Sequence, residues 1–228
     1  MTAFPFPLVG FDLDGTLLDT HEDLAAALNH ALALAGRPPL AATVVRDLVG
    51  GGARRMLDAA LARSGGTEGL DVDALHRALI AWYQGHIAVH TRLFDGGMAM
   101  LDALAARGVR LAVVTNKLES LARQLFEELG LASRFFAILG GDTLGPGRGK
   151  PKPDLLFEML RRAGVPPAAA AYVGDTAYDT GAARAAGMAC VVVRFGFNRG
   201  AADALGGDAV IGHFDELVPA LERLGRGR

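Results

Sequence analysis

The sequence predicts an α/β fold: a doubly wound, mostly parallel sheet with an all-helical segment inserted after the first strand. Three observations carry this expectation. Short β-branched or apolar runs recur along the chain and end in Gly, Asp or Thr, as buried strands do. Between them lie stretches of helical length and periodicity, several closed by a glycine where a C-cap belongs. The alternation breaks once, over residues 20–91, where only helical patterns occur.

In order, the predicted strands are LVGFD (8–12), LAVVT (111–115), AILGGD (137–142), AYVGD (171–175), CVVVRF (190–195) and AVI (209–211). Runs this uniformly apolar suit strands buried on both faces, which is the condition of a parallel sheet covered by helices. The helices between them are MAMLDALAARG, ESLARQLFEELG, PDLLFEMLRRAG, DTGAARAAG and DELVPALERLG. Such a sheet binds its ligands at the carboxyl ends of its strands. The inserted segment carries HEDLAAALNHALALAG, ATVVRDLVGGGARRMLDAALARSG and DVDALHRALIAWYQGHIAVH, with LLDT leading in and TRLFDGG leading out. The expected division is therefore a Rossmann-like core of residues 1–18 and 92–228 and a helical cap of residues 19–91, set over the strand ends as a lid on two hinges. The closing GRGR reads as a disordered tail.

With 51% of its 228 residues apolar, the chain can bury a sizeable core. Its net charge of -2 is spread along the sequence, which gives no basic face for nucleic acid. The richest apolar stretch, residues 24–36, is interrupted by Asn29 and His30 and falls short of a bilayer, so no membrane partner is expected. The N-terminal residues lack the pattern of a secretory signal, and a cytoplasmic location is expected. Cys190, the only cysteine, lies in an apolar run and reads as a buried thiol.

Chemistry-bearing residues gather at the predicted strand ends. In GFDLDGTLLDT (10–20), Asp12 and Asp14 are two apart, so in an extended chain they face one site. A calcium loop would need a later glycine and a closing glutamate. Thr115 and Asn116 follow the second strand, the lysines of GKPKPD follow the third, and Asp175 and Asp179 follow the fourth. Thr176 and Asp179 have the spacing of a capping box, so Asp179 is either a cap or part of a metal shell. Thr20 and Asp23 share that spacing and are expected to cap the first cap helix. Asp175 has no such structural reason. The GPGRGK run lacks the glycine spacing and the Ser or Thr of a nucleotide-binding loop.

These residue types suit phosphoryl transfer. An aspartate with a pKa of about 4 is ionised at neutral pH and can attack phosphorus to form an aspartyl phosphate. Like unit charges about 4 Å apart at an effective dielectric of about 20 repel by about 4 kcal/mol, enough to slow the reaction about a thousandfold. Mg2+ would offset that charge, with Asp12 and Asp175 as its natural ligands. A lysine and a threonine hydroxyl would hold the remaining phosphate oxygens. Asp14 would protonate the leaving oxygen and then activate water.

With FDLDGTLLDT, VVTNK, GKPKPD and GDTAYDT in that order, the chain resembles the haloacid dehalogenase superfamily, in its helical-cap phosphatase branch, over nearly its whole length. TNK, GGDTL, and RFGFNRG followed by DAVI are similar to the bacterial phosphoglycolate phosphatases of that branch. The resemblance implies Asp12 as nucleophile, Asp14 as acid/base and, through its backbone carbonyl, as metal ligand, Thr115 and Lys150 as phosphate binders, and Asp175 as a Mg2+ ligand. It sets the lysine directly before Pro-x-Pro, which selects Lys150 over Lys152.

The expected substrate is a small phosphate monoester, 2-phosphoglycolate first, with selectivity set by the cap. LVGGGARR presents Arg54 and Arg55 near a helix start, where Arg54 would meet a substrate carboxylate. Asn116 is a second candidate for substrate binding. Trp82 and Tyr83 read as cap interior, and Lys117 faces either the leaving group or solvent. The alternatives are a sugar-phosphate phosphatase or phosphomutase of the same superfamily. From another class comes a phosphorylation-dependent receiver module, which is about half this length and has no lid.

Overall fold

The computed structural model describes residues 4–197 and 202–227. From the N-terminus the chain forms β1 (Leu8–Phe11), a short β2 (Leu18–Asp19), and four helices, α1 (His21–Leu34), α2 (Ala42–Arg46), α3 (Ala53–Arg63) and α4 (Val72–Gln84). A short β3 (Arg92–Leu93) leads back to α5 (Gly97–Ala105), β4 (Arg110–Val114), α6 (Glu119–Glu128), β5 (Ala137–Leu139) and α7 (Asp154–Ala163). The chain finishes with β6 (Ala170–Gly174), α8 (Ala177–Ala186), β7 (Ala189–Val193), β8 (Ala209–Ile211) and α9 (Leu217–Arg226).

The six predicted strands pair in one parallel sheet of order β5-β4-β1-β6-β7-β8. The order reverses at β1, which makes its carboxyl end the crevice where such sheets take ligands. Register does the rest. Phe11 is level with Val113 on one side and Val173 on the other, so Asp12, Thr115 and Asp175 emerge side by side a residue or two later. The period-two alternation of the strands divides the core between the sheet's faces. Val9, Phe11, Val113, Val173 and Val191 join one cluster, while Leu8, Ala112, Val114, Tyr172 and the buried Cys190 join another with Leu156 and Met159 of α7.

The cap is helical throughout. Leu24, Leu28 and Leu32 of α1 meet Leu75, Leu79 and Tyr83 of α4, with Met56, Leu57 and Leu61 of α3 completing the interior. The second helical pattern divides into α2 and α3 at Gly50, Gly51 and Gly52. Gly50 and Gly52 have φ of 118° and 90°, which only glycine adopts without strain. The two hinges pair with each other as an antiparallel ribbon, Leu18 opposite Leu93 and Asp19 opposite Arg92. Two-residue strands carry too little pattern to be read from sequence.

Two local expectations are corrected. Neither Thr20 nor Asp23 caps α1: the Thr20 hydroxyl donates to Asp14 at 2.7 Å, and Asp23 accepts from the backbone N–H of His90 and Thr91 and from the Thr91 hydroxyl at 2.7 Å. Asp23 thereby ties the start of the cap to its end. The first two residues of GRGR are helical rather than loose, since α9 extends to Arg226, and Arg228 lies outside the described residues. Among the described residues no helix is long and apolar enough to cross a membrane.

Candidate active site

Asp12 continues the sheet for one residue, its N–H donating to Val173 O at 2.9 Å, and this points its carboxylate out of the strand end. Oδ1 of Asp12 lies 2.8 Å from Nζ of Lys150. Asp175 is held by two bonds, from the Thr16 hydroxyl to Oδ1 and from the Phe197 N–H to Oδ2, both 2.8 Å. Asp179 caps α8 and also meets Lys150. Its Oδ2 accepts from the Thr176 N–H and hydroxyl at the start of α8, while Oδ1 accepts from Lys150 at 2.6 Å. Lys150 also donates to the Tyr172 hydroxyl at 2.9 Å, which in turn donates to Val114 O.

Asp12, Asp175 and Asp179 are all buried, and each brings a carboxylate oxygen within 4.8 Å of the others. Fully ionised, three carboxylates against one ammonium leave two negative charges uncompensated. The titration of the group reflects this. Burial pushes the Asp12 carboxyl up to about 7, with Asp179 adding to the effect and Lys150 opposing it. Burial, Asp179 and Asp12 together hold Asp175 well above the usual carboxylate range. Burial alone would lower the Lys150 ammonium, but Asp12 and Asp179 keep it above its ordinary value.

Among the described residues Oδ1 of Asp12 meets only the Lys150 ammonium, at an angle too poor for a well-formed hydrogen bond. Around Asp175 the chain keeps side chains away: a Cβ on Gly15 would lie 2.5 Å from Oδ2 of Asp175, and one on Gly196 would lie 2.3 Å from its Cβ. An excess of negative charge, hard oxygen donors and a buried carboxylate oxygen with no well-formed hydrogen bond fit a hard divalent cation.

The Asp14 carboxylate stands apart from this trio. Its Oδ1 accepts from the Thr20 hydroxyl at 2.7 Å and from Lys117 Nζ at 2.8 Å, and its Oδ2 accepts from the same Nζ at 3.1 Å. Lys117 is thus buried, and faces the site rather than solvent. Burial would lower its pKa, but Asp14 and Tyr83 together outweigh burial and keep it cationic. Its ammonium stands 4.6 Å from the centroid of the Tyr83 ring of the cap. Thr115, also buried, accepts from the Lys117 N–H at 3.2 Å, which leaves its hydroxyl proton for a ligand.

A cavity of about 810 Å³ lies between the strand ends and the cap. Asp12, Asp14, Thr115, Asn116, Lys117 and Lys150 line it from the core, and Gly51, Arg54 and Tyr83 line it from the cap. The Asn116 amide donates to Gly50 O at 2.9 Å and to Lys150 O at 3.1 Å, so it joins cap to core. Arg54 is half exposed and paired with Asp58 and Asp73. Arg55 reaches across to the Tyr178 hydroxyl at 3.4 Å. The glycine run permits this approach, because a Cβ on Gly51 would stand 2.9 Å from that hydroxyl.

The expected site residues are therefore neighbours: all but Asp175 line the cavity, and Asp175 brings a carboxylate oxygen within 4.8 Å of Asp12. Sequence reasoning missed Thr16, whose place in DGT carried no signal beyond the turn, and Tyr172, hidden inside a strand. Residues 198–200, the end of the RFGFNRG motif, lie outside the described residues.

The profile of the haloacid dehalogenase-like hydrolases matches residues 9–193. The phosphoglycolate phosphatase of Agrobacterium fabrum is 40% identical over 223 residues, covering 97% of this chain and 95% of that one. The phosphoglycolate phosphatase of Rhodospirillum rubrum is 40% identical over 212 residues, 91% of this chain and 87% of its own. Among solved structures, a predicted phosphoglycolate phosphatase from Haemophilus somnus superposes with a TM-score of 0.85 at 30% identity, covering 96% of this chain and 98% of that one. CbbY from Rhodobacter sphaeroides in complex with phosphate superposes with a TM-score of 0.81 at 27% identity, covering 95% and 99%.

Proposed function

The chain belongs to the haloacid dehalogenase-like hydrolase family, and on that premise we propose that it is a Mg2+-dependent phosphatase that hydrolyses 2-phosphoglycolate through an aspartyl phosphate on Asp12. The observation that carries the reading is the arrangement at the strand ends. Asp12 opens onto the cavity beside the Lys150 ammonium, while Asp14, two residues on, is held separately by Lys117 and Thr20.

Two neighbouring carboxylates in different surroundings can take different roles. With substrate bound and Asp14 having taken up a proton from solvent, an Asp12 oxygen attacks phosphorus as the bond to the ester oxygen breaks, and Asp14 gives that proton to the departing alkoxide. Water then attacks the phosphorus of the acyl phosphate and passes a proton to Asp14, which releases inorganic phosphate and restores the Asp12 carboxylate. Lys150 and the Thr115 hydroxyl hold the equatorial oxygens as charge redistributes. Asp12, Asp175 and the Asp14 backbone carbonyl would hold Mg2+, which when bound offsets the repulsion between nucleophile and phosphate. Asp179 supports this group by fixing Lys150. Asn116, which bonds to Gly50 O of the cap, and Arg54 both line the cavity within reach of a substrate.

The deciding experiment measures phosphate release from 2-phosphoglycolate, sugar phosphates, nucleotides and pyrophosphate, with and without Mg2+. The expected result is metal-dependent release with the highest kcat/KM on 2-phosphoglycolate. A higher kcat/KM on a sugar phosphate, or conversion of it to an isomer without release, would overturn the assignment.

A further inference from the structure

Cavity size cannot select a two-carbon substrate, because about 810 Å³ admits far larger esters. Discrimination must come from placed polar groups. The cap arginine pointed to by the sequence, Arg54, faces two carboxylates, Asp58 and Asp73, which more than balance its charge. Two other groups on the cavity wall are differently placed. The Tyr83 hydroxyl is buried, on a residue only 1% exposed, and its proton has no acceptor among the described residues. Burial pushes this phenol up to about 12, so at neutral pH it keeps its proton and is a donor. Beside it stands the Lys117 ammonium, which holds the Asp14 carboxylate.

Position gives the pair its meaning. In the proposed reaction the phosphoryl group sits at Asp12, Thr115 and Lys150, and Asp14 faces the bridging oxygen. Whatever is bonded to that oxygen is therefore next to the groups that surround Asp14. While Asp14 carries the proton it gives to the leaving oxygen, the Lys117 charge is unmatched, and a cation and a neutral donor side by side then favour a ligand that is anionic and accepts hydrogen bonds. A carboxylate one carbon beyond the bridging oxygen meets both demands: one oxygen takes the phenol proton and the charge lies beside Lys117.

We propose that Tyr83 and Lys117 determine specificity by binding a carboxylate on the leaving group, so that the enzyme prefers phosphate esters of 2-hydroxy acids to those of neutral alcohols. This rests on the phosphatase reading for the orientation of substrate, and a binding measurement separates the two. In an Asp12→Asn background, where turnover is blocked, titration calorimetry with Mg2+ would compare 2-phosphoglycolate with ethyl phosphate, its neutral counterpart, and with inorganic phosphate. The expected result is at least tenfold tighter binding of 2-phosphoglycolate than of ethyl phosphate. Adding Tyr83→Phe, which keeps the ring and the packing, should shrink that ratio severalfold, and Lys117→Met should shrink it further. Inorganic phosphate affinity reports whether each variant retains a folded phosphate site. Equal affinity for the two esters, or a ratio untouched by Tyr83→Phe, would overturn the proposal. If the native enzyme fails to hydrolyse 2-phosphoglycolate while a Tyr83-dependent ratio persists, the hydrolysis reading fails and the carboxylate subsite stands.

Discussion

The Lys150 ammonium lies 2.8 Å from Oδ1 of Asp12 and joins the loop after β5 to the end of β1 in a fully buried ion pair. The same ammonium reaches Asp179 at 2.6 Å, so one cation is shared between carboxylates that repel each other. Buried charge of this kind is weak support for a fold, since desolvation offsets much of the attraction. Its persistence at the floor of a cavity is accounted for by chemistry, at some cost to stability.

Asp12→Asn separates those two consequences. The variant keeps the shape of the side chain, removes the nucleophile and removes one charge from the crowded trio. Phosphate release should fall by about 10⁴-fold or more, while the thermal midpoint of metal-free protein should stay level or rise. Near-normal turnover would remove Asp12 from the nucleophile's role.

The raised carboxyls also give stability a pH dependence. In the unfolded chain Asp12 and Asp175 titrate near about 4, whereas in the fold Asp12 is pushed up to about 7 and Asp175 is also raised. Between those values the folded protein retains protons that the unfolded chain has lost, so stability falls as pH rises from about 4 through about 7. A cation binding the ionised carboxylates opposes that loss. Chelated protein should therefore melt at a lower temperature at about pH 7.5 than at about pH 5.5, and added Mg2+ should raise the midpoint more at the higher pH. A shift of the same size at both would place metal binding elsewhere.

Asp23 is a structural counterpart to the catalytic carboxylates. It accepts two backbone N–H groups and a hydroxyl from residues 90 and 91, which closes the cap onto its own hinge. Asp23→Ala strands those buried donors and should cost about 2 to 4 kcal/mol, read as a lower denaturation midpoint. Turnover should fall as well, because loosening the start of α1 frees Thr20, whose hydroxyl holds the Asp14 carboxylate. A midpoint within about 0.5 kcal/mol of the parent would show that the bonds are replaced by water.

How far the site was legible in sequence follows from which interactions are local. Asp12, Thr115 and Asp175 sit at the ends of apolar runs, and strand register alone aligns them. Lys150 could be read because a proline pattern surrounds it. Lys117 could not be placed: its long stem reaches Asp14, and only the packed sheet brings the two together. Tyr83 satisfies the apolar periodicity of α4 with its ring, so periodicity conceals the hydroxyl. Asp23 has the spacing of a capping residue, and nothing local distinguishes that from its real contacts 67 and 68 residues away.

Gly15 tests the metal site through the backbone. Its φ of +82° already disfavours a side chain, and a Cβ there would stand 2.5 Å from Oδ2 of Asp175. Gly36 is the control, with φ of +65° and nothing within 4 Å of an added Cβ. Gly36→Ala should cost only the backbone strain, about 1 kcal/mol, and leave the Mg2+ requirement as it was. Gly15→Ala adds a collision with a carboxylate that two hydrogen bonds hold in place, from Thr16 and from Phe197. Asp175 must then move, and the Mg2+ concentration for half-maximal activity should rise about tenfold or more, in line with displacing a ligand's support. Equal metal requirements in the two variants would mean that Asp175 does not hold the ion, whatever happens to their stabilities.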